Sequence, residues 1–119
     1  MSGITFAQDN QKLIEYGKDP GLGIRKLNEQ GYTGRGVTVA YLDQPLLYGH
    51  KAYNNVDLVY EEIDYQDQTM EPSMHGPAVL SFLAGEEIGI AKNSKVYFMA
   101  HPSWLADQIT HAMGLRRLV

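Results

Sequence analysis

Cysteine is absent from these 119 residues. Disulfides and cysteine-based zinc sites are therefore excluded, while the compartment stays open, because secreted proteins also do without cysteine. No apolar run approaches the ~20 residues needed to cross a bilayer. The start, Met1-Ser2-Gly3-Ile4, has neither a basic nor an apolar leader pattern. The expectation is a chain with no membrane partner, cytoplasmic or secreted after processing. Positive charge is also scarce: 10 Lys and Arg face 14 Asp and Glu, for a formal net charge of -4. Nucleic-acid binders cluster their basic residues, so no nucleic-acid partner is expected. The adjacent pair Arg116-Arg117 reads as a solvated helix face. No His-Glu-x-x-His spacing occurs, and the acidic stretch 61–74 lacks the alternating Asp/Asn-Gly pattern of a calcium loop. Gly34-Arg35-Gly36 precedes a strand pattern rather than a helix and so fails as a dinucleotide loop. Neither a metal nor a cofactor is expected.

What the chain does have is apolar content: 44% of its residues are hydrophobic, enough for a folded core. One compact domain over 1–119 is expected, preceded within it by an N-terminal extension, 1–19. Leu13, Ile14 and Tyr16 suit a short helical turn ended by Gly17 and Asp19-Pro20-Gly21. Ile24 and Leu27, followed by Gly31, suit a short helix with a glycine cap. Val37 to Leu42 is a β-rich apolar run, the pattern of a parallel strand buried on both faces. Val56 to Tyr60 predicts a second strand and Lys95 to Ala100 a third. His75-Gly76-Pro77 opens a helix, with Val79, Phe82 and Leu83 as its apolar stripe and Gly85 at its end. Leu105, Ile109, Ala112 and Met113 begin another. Helices alternating with strands indicate an α/β fold, a parallel sheet flanked by helices.

Asp43 ends the first strand and His75 starts a helix. Functional groups of open α/β sheets gather at the carboxyl ends of strands, so the two side chains can meet there. A carboxylate beside an imidazole is the orienting half of an acid–base pair. The same positions equally suit a turn-capping carboxylate and a histidine at a helix start. His50, His101 and His111 show no comparable setting.

Four stretches of the chain, in order, resemble the subtilases. Gln30 to Asp43 is similar to the segment that runs through a Gly-x-Gly turn into the strand bearing that family's catalytic Asp. His50 resembles the histidine of its His-Pro-x-Leu stretch, with Lys51 where Pro is usual. His75-Gly76-Pro77-Ala78-Val79-Leu80-Ser81-Phe82-Leu83-Ala84-Gly85 is similar to the His-Gly-Thr-His-Val-Ala-Gly helix. Ile88-Gly89-Ile90-Ala91 and Ser94-Lys95-Val96-Tyr97 resemble the Gly-Val-Ala-Pro and Ala-x-Leu-Tyr stretches that follow. Gln44-Pro45 stands where Thr/Ser-Gly is common, and Pro77-Ala78 where Thr-His is.

The resemblance implies the N-terminal part of a subtilisin-like three-layer fold and a serine endopeptidase acting on peptide or protein substrates. It implies Asp43 and His75 as catalytic residues and Trp104 as a lining residue of an apolar substrate subsite, with a core-packing role the other reading of that tryptophan. The family's serine lies far downstream of its histidine. Ser2, Ser73, Ser81, Ser94 and Ser103 lack its Gly-Thr-Ser-Met-Ala context. In a subtilisin, losing the serine costs about 2 × 10⁶ in kcat, and losing one oxyanion donor costs about 10²–10³. The expectation is a fragment or split chain, inactive alone, whose partner is a complementary C-terminal chain carrying Ser. The alternative is a non-catalytic, subtilase-derived binding or scaffold module that acts alone or as a homo-oligomer.

Overall fold

The computed structural model describes residues 6–63, 72–101 and 116. It divides into two compact units, 1–33 and 34–119. In the first unit, helix α1 (Phe6–Tyr16) is longer than its apolar residues alone predict. A wide turn, Gly17–Gly21, leads to α2 (Ile24–Glu29). Arg25 holds this turn: it donates to Glu15 Oε2 at 3.0 Å and to Asp19 Oδ2 at 3.5 Å. The Arg25 hydrogen bond, helped by Lys18, keeps the Glu15 carboxyl below its ordinary range. The α2 end is capped as expected. Gly31 takes a φ of 94°, and the Tyr32 and Gly31 amides bond the Leu27 and Asn28 carbonyls at 3.0 Å each.

The second unit holds a three-stranded parallel sheet made of β1 (Thr38–Asp43), β2 (Asp57–Glu62) and β3 (Lys95–Ala100). Helix α3 (His75–Ala84) connects β2 to β3. The order β1-β3-β2 puts the last strand in the centre. Thr38 and Asp57 both pair with Lys95, while Asp43 and Glu62 both pair with Ala100, so all three strands end level.

The pattern of burial corrects one expectation. β1 is not buried on both faces: Thr38 and Ala40 are exposed, and so are Tyr97 and Val59, which lie in register with Ala40 across the sheet, so this face is open along all three strands. The most buried strand is the central one, β3, with Val96, Phe98, Met99 and Ala100 buried and Tyr97 left 40% exposed. Across the register Tyr41, Phe98 and Tyr60 form a row, with ring centres 5.4 and 5.8 Å apart. Leu80 and Ala84 of α3, with Leu46 and Tyr53, close the core against this face.

The helix also sits rotated from its expected stripe. Gly76, Leu80 and Ala84 face inward, Leu83 packs beside them, and Phe82 is 58% exposed. The cause lies at the helix start, where a Cβ on Gly76 would collide with the Gln44 carbonyl oxygen. The helix must press its glycine against the β1 end, and residues four and eight positions later then fall on the same face. Gly34, with a φ of 78°, is a second required glycine, since a Cβ there would come within 2.9 Å of Ala91 Cβ.

Phe98 is fully buried at the centre of the aromatic row. Phe98→Ala is expected to cost about 3–5 kcal/mol in urea unfolding, the range for a large core truncation.

Candidate functional site

The level strand ends place Asp43 beside the end of β3. Its carbonyl oxygen accepts the His101 amide at 2.8 Å, which extends the ladder one step past the sheet. His75 is the first residue of α3, where the helix presses on Gln44. The two candidates therefore meet: His75 Nδ1 lies 2.7 Å from Asp43 Oδ1. The carboxylate side chain is 8% exposed and the imidazole 39%, so the acid is enclosed while the base reaches the surface.

An ionised carboxylate can only accept a hydrogen bond, so Nδ1 carries the hydrogen in this contact. That fixes the neutral ring in one tautomer, with Nε2 as the basic atom. Asp43 Oδ1 also accepts the Gln44 amide at 2.6 Å, which holds the carboxylate to its own turn. Tyr41 lies two residues before Asp43 on the same face of β1, close enough for the carboxylate to act on its phenol. Burial first, then the Asp43 charge, push the Tyr41 phenol from 10.0 up to about 12.

Gln44 and Ser73 complete the surroundings. The Ser73 hydroxyl donates to Gln44 Oε1 and accepts the His75 amide at 3.2 Å. Sequence reading flagged Gln44 only as a departure from a family pattern and gave Ser73 and Tyr41 no role. One signal is present: a serine just ahead of a helix opening can accept the backbone amide two residues on.

No family model, curated protein or solved structure matches this chain.

The site is then read from its own chemistry. Among the described residues, no group of three His, Asp or Glu is placed to hold a metal ion. The three described serines all have engaged hydroxyls: Ser73 with Gln44, Ser81 with the Ala78 carbonyl at 2.7 Å and Ser94 with the Ala91 carbonyl at 2.8 Å. His50 stays apart from the pair and caps the short turn Lys51–Tyr53, its Nδ1 accepting the Ala52 amide at 3.2 Å. A hollow of about 240 Å³ opens beside it between Leu46, Tyr48, Tyr53 and Tyr60, and its lining includes neither Asp43 nor His75. Trp104, the expected subsite residue, lies outside the described residues. No helix among the described residues is long and apolar enough to cross a membrane.

Tyr41 gives the site an alkaline signature. Its raised value means that its contribution to stability is complete below pH ~10 and is lost as pH rises toward ~12. Tyr41→Phe is expected to lose less stability between pH ~9 and ~11.5 than the parent chain does, measured as the shift in urea midpoint. An equal shift in both proteins would show that the phenol is not held this way.

Proposed function

We propose that the chain carries the acid–base half of a subtilisin-like serine endopeptidase that hydrolyses peptide bonds. The observation that carries this reading is the 2.7 Å contact of His75 Nδ1 with a nearly enclosed Asp43 at the carboxyl edge of a parallel sheet. In such a site His75 Nε2 takes the proton of an attacking serine and later delivers it to the leaving amine. Asp43 keeps the ring in the required tautomer and stabilises the imidazolium. The reading requires a serine and oxyanion donors from a complementary C-terminal segment. The resemblance of four ordered stretches, His75 to Gly85 above all, supports the choice of family.

A second reading starts from the edge of the sheet. The outer edge of β1 has no strand partner among the described residues. Unpaired edges of this kind accept further strands from other chains. The complementary segment could dock there, and so could a second copy of the chain, making it a non-catalytic binding or scaffold module.

Hydrolysis of a chromogenic peptide separates the two. The chain alone is expected to be inactive, and activity is expected when a separately produced C-terminal subtilase segment is added. In that mixture Asp43→Ala should lower kcat by about 10⁴ and His75→Ala by about 10⁶. Activity unchanged in either variant would remove the triad assignment. Light scattering gives the companion prediction: a monomer alone and a one-to-one complex with the added segment. A stable homodimer that stays inactive in the mixture would favour the module.

A further inference from the structure

Gln44 is a buried polar residue, 7% exposed, at a position where the chain leaves the sheet. Its amide N–H donates to Asp43 Oδ1 at 2.6 Å, and its side-chain oxygen accepts from the Ser73 hydroxyl. Ser73 in turn accepts the His75 amide at 3.2 Å, and its own amide donates to the Pro45 carbonyl at 3.1 Å. His75 Nδ1 returns to Asp43 Oδ1 at 2.7 Å. The four residues form a closed circuit: Asp43, Gln44, Ser73, His75 and back.

An ordinary capping serine needs only its oxygen, to accept an orphan helix N–H. Here the hydroxyl hydrogen is used as well, on a buried residue of another element. That second bond ties the α3 start to the β1 end. Gly76 limits the same junction sterically, since a Cβ there would strike the Gln44 carbonyl oxygen. Contact alone prevents the helix from approaching further but does not prevent it from sliding or lifting. The hydrogen bonds of Ser73 supply the missing restraint. A shift of the first helical turn would carry the His75 ring with it.

We propose that Gln44 and Ser73 are a pair of positioning residues, a side-chain latch that holds the His75 imidazole in register with Asp43. The proposal rests on the reading of Asp43 and His75 as an acid–base pair. Each latch residue acts through the placement of His75.

The test uses the 119-residue chain, labelled with ¹⁵N at histidine. The readouts are the His75 tautomer and the exchange rate of its Nδ1 proton with water. Ser73→Ala and Gln44→Met are each expected to speed that exchange about tenfold, the scale of one lost hydrogen bond. Ser73→Thr keeps the hydroxyl and is expected to restore the slow rate. The double variant should be no worse than either single one, because both break the same bond. An effect of Ser73→Ala with none from Gln44→Met would reduce Ser73 to a plain cap and overturn the latch. Parent-like rates in both would overturn it too. Circular dichroism of each variant, with Ser73→Thr as the milder change, separates local loosening from failure to fold. Asp43→Ala, which removes the acceptor of the Nδ1 proton, sets the rate for a broken pair. Because no nucleophile is involved, these outcomes are independent of whether complementation restores peptide hydrolysis.

Discussion

At Gly76 the first turn of α3 meets the Gln44 carbonyl with no room for a side chain. Much of the second unit follows from that approach. It sets the rotation of the helix, so that Leu80 and Ala84 reach the sheet while Phe82 turns outward. It also sets the height of the helix start against the strand ends. His75, one residue earlier, is thereby delivered to Asp43. The packing face and the polar pair are two consequences of one junction. A residue larger than glycine there would disturb both.

The sheet supplies the other half of the placement. β3 is the buried centre, and β1 and β2 end level with it on either side. Asp43 can sit at low exposure because the chain on both sides is pinned: its carbonyl by the His101 amide, its carboxylate by Gln44 and His75. Tyr41 links this polar group to the core, since its ring packs on Phe98 while the Asp43 charge acts on its phenol. A buried carboxylate is costly unless its hydrogen bonds are satisfied. Here its neighbour in sequence, the Gln44 amide, satisfies it together with the imidazole of one residue from the helix.

The elements of this unit were legible where local chemistry decides them. Lys95 to Ala100 was read to the residue, and the helix from His75 to its Gly85 end likewise, because proline and glycine punctuate that stretch. The pair Asp43 and His75 was legible from its place at element ends. What could not be read was which face of the sheet would be covered and which strand would be central. An apolar run such as Val37 to Leu42 looks the same in a central strand and in an edge strand, and only pairing tells which strand is central. The α3 stripe failed for a similar reason: Val79, Phe82 and Leu83 have the right spacing, but a tertiary contact at Gly76 chose the face. Gln44 and Ser73 were illegible because their partnership spans two elements. Neither residue alone departs from what a loop or a helix cap would contain.

The Asp43–His75 contact is formed wholly within the second unit, by side chains of β1 and α3 and the loop residues beside them. The Asp43 carboxylate holds the Nδ1 hydrogen of the imidazole and so sets its tautomer. On the proposed reading, a segment that brings a serine would not have to build the base, only to arrive in register with it. Once docked, that serine would face the base as an intramolecular group, where orientation alone is worth an effective concentration of about 10⁵ M or more. On that reading the outer edge of β1, which has no strand partner among the described residues, would suit such docking, because an added parallel strand would end level with Asp43. In that arrangement the same hydrogen-bond ladder that sets Asp43 against Ala100 would set the incoming segment against Asp43. Strand register, rather than any direct contact with the imidazole, would then decide how well the two halves of the site meet.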